Sequence, residues 1–215
     1  MPRLSEEIEV IERETRAVFG EHNARMVAFV TAIGQTDQRP QPGTPAPDFA
    51  LPNADGALVS LSDLMGPRGL VLMFIRGLWC PYCNAQMRAF EESVADLAAA
   101  GLCLAVITPE VGGRAAETKA TLGLSCEVVC DVDEGVALAY GCLIPLPQID
   151  QEFLSAQGYD LTQLYGNGAW FLPLASLFLI SADGVVRAVL GGADQCARPG
   201  PEAVLAAAGD LAPGA

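Results

Sequence analysis

Histidine is almost missing from this 215-residue chain, which has only His22. A zinc site built on a C-x-x-C pair usually needs a second Cys or His pair at short spacing. His22 lies far off in an N-terminal arm, and the nearest alternative, Cys126 with Cys130, has three residues between its members. No metal and no organic cofactor are expected. Positive charge is scarce too: 12 Lys and Arg stand against 26 Asp and Glu, a net charge of −14. That removes the attraction on which binding to nucleic acid or an anionic membrane surface depends. No apolar run approaches the roughly 18–20 residues that span a bilayer. Met1–Phe19 is studded with Glu and Arg and lacks the apolar core and small-residue cleavage site of a secretory signal. No internal repeat is visible. What remains is a chain 51% hydrophobic and 18% charged, enough for one domain with a large core plus an appendage.

Against these absences one segment stands out, Phe74-Ile75-Arg76-Gly77-Leu78-Trp79-Cys80-Pro81-Tyr82-Cys83. Leu70–Ile75 is a continuous apolar run of the kind expected for a parallel strand buried on both faces. Beyond the cysteines, Met87, Phe90, Val94 and Leu97 recur at helical spacing, with Arg88, Glu91, Glu92 and Asp96 opposite. Pro81 is tolerated only in a first helical turn, because deeper in a helix it costs about 3 kcal/mol. Cys80 is therefore expected at or beside the N-cap and Cys83 one turn in, the less exposed of the two. A sulfur at Cys80 would meet unpaired backbone N–H groups and the positive end of the helix dipole, which favour the nucleophilic thiolate. Cys83 can close a disulfide on it. Thiol redox chemistry follows, with Trp79 and Tyr82 shaping access or merely packing at a loop.

The other five cysteines show no framework spacing, and an odd total of seven fits a reducing cytoplasm. Cys103, Cys126, Cys130 and Cys142 read as small core side chains. Cys196 lies in the Gly/Pro/Asp-rich loop 191–201 and is a candidate second resolving thiol. The rest of the chain divides into an N-terminal helical arm with a Pro-rich linker, residues 1–40, and a domain at 41–215. The arm has a possible break at Gly20 and packs on the domain or on a partner subunit. Strands are expected at 48–51, 57–61, 70–75, 102–107, 127–130, 177–180 and 185–190, and helices at 80–100, 115–122, 134–140 and 202–208. Strand–helix alternation closing on a hairpin predicts an α/β three-layer sandwich: a mixed, mostly parallel central sheet with helices on both faces.

Several segments together resemble one family. Gly43-Thr-Pro-Ala-Pro-Asp-Phe-Ala-Leu-Pro-Asn-Ala-Asp-Gly56 followed by Val59-Ser-Leu-Ser-Asp-Leu64 is similar to the opening of a peroxiredoxin, the alkyl hydroperoxide reductase/thiol-specific antioxidant branch of the thioredoxin fold. Cys130-Asp-Val-Asp-Glu-Gly-Val-Ala-Leu-Ala-Tyr-Gly141 resembles its later strand–turn–helix. The block at 76–83 and the insertion through Gly158 and Trp170 to Pro173 resemble an atypical subgroup. The resemblance implies a thioredoxin-like fold and makes Cys80 the peroxidatic thiol, whose sulfenic acid Cys83 resolves as a disulfide. Two departures stand out. Gly77 replaces the usual Thr or Ser three residues before the reactive cysteine, and Pro173-Leu-Ala-Ser-Leu-Phe178 lacks the arginine usual before the final hairpin. Arg76 and Arg198 are the candidates to supply that charge.

The implied partners are a hydroperoxide substrate and a thioredoxin-, glutaredoxin- or glutathione-type reductant, with homodimerisation open. Two alternatives stand beside this one. Cys-Pro-Tyr-Cys is the active-site tetrapeptide of glutaredoxins, which points to a general disulfide reductase. A redox-sensing interaction domain, in which the disulfide switches an interface, needs no turnover.

Overall fold

A computed structural model describes residues 3–209 and Leu211. Its elements in chain order are α1 (Leu4–Ala32), β1 (Ala50–Pro52), β2 (Leu58–Ser60), β3 (Gly69–Phe74), α2 (Pro81–Glu92), α3 (Val94–Ala99), β4 (Leu102–Thr108), α4 (Arg114–Leu122), β5 (Glu127–Cys130), α5 (Gly135–Ala139), β6 (Leu143–Pro145), α6 (Gln148–Ala156), α7 (Leu161–Leu164), β7 (Phe171–Pro173), β8 (Ser176–Ser181), β9 (Val186–Leu190) and α8 (Pro201–Ala208).

Every residue of β3 is buried because β3 is the middle strand of a five-stranded sheet ordered β5-β4-β3-β8-β9. It runs parallel to β4 and antiparallel to β8. Side chains alternate across a strand, so Leu70, Leu72 and Phe74 enter one core while Val71, Met73 and Ile75 enter the other. The first core is closed by α5, α6 and α7, the second by α2, α3, α4 and α8. This is the expected three-layer sandwich. The sheet is mixed as expected: β5, β4, β3 and β9 run one way and β8 alone runs against them, so two of the four pairings are parallel and two antiparallel.

Helix α1 is continuous for 29 residues and does not break at Gly20. A mid-helix glycine costs only about 1 kcal/mol, and contacts on both sides of it hold the helix together. Its beginning (Leu4, Ile8, Ile11) packs into the second core and its end (Met26, Val30, Phe29) into the first. The arm thus lies against the domain itself. The stretch expected as one helix over 80–100 is two, α2 and α3, parted at Ser93. Cys103 is a further correction. It is exposed at the entry to β4, ahead of the buried run 104–108. No helix of the described residues is long and apolar enough to cross a membrane.

Candidate active site

Where β3 ends, Ile75 still donates to the Ile107 carbonyl (3.0 Å), and the chain then turns sharply into α2. Two bonds tie the turn. Cys80 N–H donates to the Gly77 carbonyl (3.2 Å) and Asn84 Nδ2 donates to the Leu78 carbonyl (2.8 Å). Cys80 is the N-cap of α2 and Pro81 its first residue, as the position of proline requires.

Gly77 has φ +132°, a conformation that side chains resist, and a Cβ there would lie 2.3 Å from Glu110 Cδ. The hydroxyl absent at this position is thus replaced in space by a carboxylate arriving from beyond β4. Glu110 is 1% exposed. Its Oε2 accepts the Leu78 N–H at 2.7 Å, while Oε1 has no partner. Burial raises its pKa above the ordinary carboxylate value despite that N–H. No local pattern points to Glu110, which lies 30 residues from Cys80. Reintroducing the hydroxyl by Gly77→Thr must strain the backbone and evict the carboxylate, each at about 1–3 kcal/mol. We expect a loss of about 2 kcal/mol or more, read in a thermal melt as a Tm lower by roughly 4–8 °C.

Cys80 is 2% exposed and Cys83 fully buried, so the expected order of exposure holds, although Cys80 is not an open surface thiol. It is reached instead through a cavity of about 80 Å³ that Cys80 lines and Cys83 does not. The walls are mainly apolar: Phe19 from α1, Trp79, Tyr82, Leu154 from α6, Tyr159 and Leu172 from β7. Trp79 is fixed by an N–H bond to the Arg76 carbonyl (3.0 Å) and by its ring 5.0 Å from Tyr159. Tyr165 also donates to the Arg76 carbonyl at 2.8 Å. The Tyr82 hydroxyl meets Thr15 Oγ1 at 3.2 Å, and burial pushes its pKa up to about 12.

The two sulfurs are hydrogen-bonded to each other and titrate as a pair. Cys80 is held well above the ordinary thiol value, chiefly by its bond to Cys83 and then by burial. For Cys83, burial pushes upward, but the bond from Cys80, the Arg198 charge, the Arg76 backbone N–H and the Arg76 charge together bring it well below. Cys83 is thus the more acidic partner of a pair that shares its proton. This corrects the expectation that the helix end alone would ionise Cys80, whose side chain caps no helix N–H.

Both candidate arginines reach the pair. Arg76 is buried, donating to the Pro173 carbonyl (3.4 Å) and to Gln195 Oε1. Arg198 donates to the Gln195 carbonyl (2.6 Å) and to Gln86 Oε1 (3.2 Å), while its buried Nη2 meets no oxygen acceptor. Burial opposes its charge, and Cys83 and Cys80 are the largest opposing influences that restore it. Cys196 lies behind Tyr82, within hydrogen-bond reach of its hydroxyl. It opens on a separate hollow beside Glu12 and Asn23, where Asn23 Nδ2 approaches its sulfur at 3.9 Å. Burial raises the Cys196 thiol, and raises Cys126 and Cys142 to about 12 and Cys130 to about 11.

A second buried cluster borders the same cavity. His22 of α1 bonds through Nδ1 to Asp150 Oδ1 of α6 at 2.8 Å, and Arg25 Nη2 reaches the same oxygen at 2.9 Å. His22 and Asp150 are 128 residues apart, and nothing in the sequence pattern pairs them.

A sequence profile described as the AhpC/TSA family matches residues 42–189. The putative peroxiredoxin Rv2521 of Mycobacterium tuberculosis is 30% identical over 145 residues, covering 67% of this chain and 81% of the relative. Among solved structures, the peroxidoxin BcpB of M. tuberculosis superposes with a TM-score of 0.61 at 19% identity, covering 79% of this chain and 97% of that one. Peroxiredoxin Q of Xanthomonas campestris superposes with a TM-score of 0.55 at 20% identity, covering 75% and 89%.

Proposed function

The chain belongs to the AhpC/TSA family, and from that membership and the cavity above Cys80 we propose that it reduces hydroperoxides by an attack of the Cys80 thiolate. It is an oxidoreductase of the peroxiredoxin type, a thiol peroxidase. The observation that carries the assignment of roles is the contrast in access: Cys80 lines the cavity and Cys83 is sealed beneath it. In the proposed cycle the Cys80 thiolate attacks the terminal oxygen of the peroxide. The O–O bond breaks, an alcohol or water leaves, and sulfur becomes a sulfenic acid. Cys83 then gives up its proton and attacks that sulfur, releasing water and closing a disulfide. A thioredoxin-type dithiol reopens it by exchange.

Arg76 and Arg198 hold the pair's negative charge in a setting without bulk water. The cavity has room for a small oxidant: about 80 Å³ is several times the roughly 10–15 Å³ that one water needs. A cytoplasmic setting agrees with seven unpaired thiols. Stopped-flow oxidation of reduced protein by peroxide, beside a protein-disulfide reduction assay, tests the reading. Oxidation far faster than that of free cysteine supports it. Ordinary peroxide reactivity with brisk disulfide reduction contradicts it.

A further inference from the structure

We propose that His22 is a catalytic residue of the peroxidase step, relaying the proton of the attacked peroxide oxygen to the departing alkoxide; this rests on the thiol-peroxidase reading and adds a group to it. The geometry carries the argument. His22 lines the same cavity as Cys80, although it comes from α1, outside the matched region 42–189. Its ring is immobilised, stacked on Phe153 at 4.7 Å and edge-on to Phe19 at 6.4 Å. Asp150 is itself 2% exposed and paired with Arg25, so its carboxylate accepts and Nδ1 carries the hydrogen. Nε2 has no hydrogen-bond partner among the described residues and is the nitrogen left to address the cavity. Burial lowers the His22 pKa more than Asp150 raises it, so the resting ring is neutral with a lone pair on Nε2. A buried His held by a buried carboxylate, beside a nucleophile in an apolar cavity, is poorly explained as packing alone. A Phe or Leu would fill the space without the desolvation cost of two buried polar side chains, His22 and Asp150.

The step balances without an outside acid. The Cys80 thiolate attacks the hydroxyl oxygen of ROOH, the S–O bond forms and the O–O bond breaks. Sulfur is oxidised by two electrons and the peroxide is reduced. Nε2 takes the proton from the attacked oxygen and passes it to RO⁻, leaving Cys80 sulfenate and ROH. Alkoxide is a poor leaving group and needs that proton; the carboxylate released by a peracid does not.

The test follows from this contrast. In single-turnover oxidation, His22→Gln, which can still bond to Asp150, should react with tert-butyl hydroperoxide ~10²-fold more slowly than the unaltered protein. With peracetic acid it should stay within about threefold, since general acid catalysis has little to add there. Asp150→Asn should show the same selectivity in weaker form. Should these variants fail to fold, the unaltered protein decides. A solvent deuterium isotope effect is expected with the alkyl hydroperoxide and not with the peracid at matched pH and pD. Equal losses with both oxidants, or no loss with either, overturn the role of His22, and so does an isotope effect that is equal for both or absent. If the unaltered protein reacts with neither oxidant faster than free cysteine, it is the peroxidase reading itself that fails.

Discussion

Cys80→Ser should abolish rapid peroxide consumption, lowering the single-turnover rate by ~10³-fold or more, because nothing else in the cavity can serve as the nucleophile. Cys83→Ser should keep the first oxidation and lose the second step, so that a sulfenic acid accumulates instead of a disulfide. This asymmetry does not follow from acidity, since Cys83 is the thiol held below the ordinary value. It follows from access. The pair is one anion sharing one proton, and the proton can sit on either sulfur, but only Cys80 lines the cavity. A lower pKa also makes a thiolate a weaker nucleophile, so the sulfur that holds the charge least tightly is the better attacker once exposed. Rapid quench with thiol-blocking reagents and mass analysis separates the two outcomes.

Arg198→Met should give the second largest effect. The Arg198 guanidinium end is buried, and Cys83 and Cys80 are its largest favourable charge partners. Removing a cation beside a buried anion raises the pKa of the group that carries the charge, typically by 1–3 units. The first deprotonation of the pair should therefore move to higher pH. Each unit costs about tenfold in the anion population on the acid side of the titration, so the rate near neutrality falls by roughly 10-fold or more. The sign is specific: the loss should shrink as pH rises past the new pKa, where the anion is restored. Arg198→Lys keeps the charge without the planar fork and should fall between. A pH–rate profile identical to that of the unaltered protein would assign the charge stabilisation to Arg76 alone.

How much of this was legible in the sequence depends on the distance between the parts. The strand–cysteine–helix unit is local, and each piece carries its own signal: an unbroken apolar run for β3, proline at the first position of α2, helical spacing beyond it. The three-layer arrangement follows from the alternation of elements. The position of β8 beside β3 is not legible, because it is a long-range pairing. Residues 142–176 were unassigned, although they supply α6, Asp150, Tyr159 and Leu172. Short strands flanked by prolines, such as β6 and β7, carry little periodicity. Arg198 looked like a loop residue because its context is Gly and Pro. Its burial comes from Gln86 and Gln195 closing over it. Gly77 was visible as a departure from the family pattern, but its reason, the Glu110 carboxyl, became visible only in three dimensions.

The sulfur that meets peroxide can be identified in one measurement. Reduced Cys83→Ser protein is given one equivalent of tert-butyl hydroperoxide in the presence of dimedone, and the labelled peptide is found by mass spectrometry. The label is expected on Cys80 alone. A label on exposed Cys103 or on Cys196, with Cys80 untouched, would contradict the account.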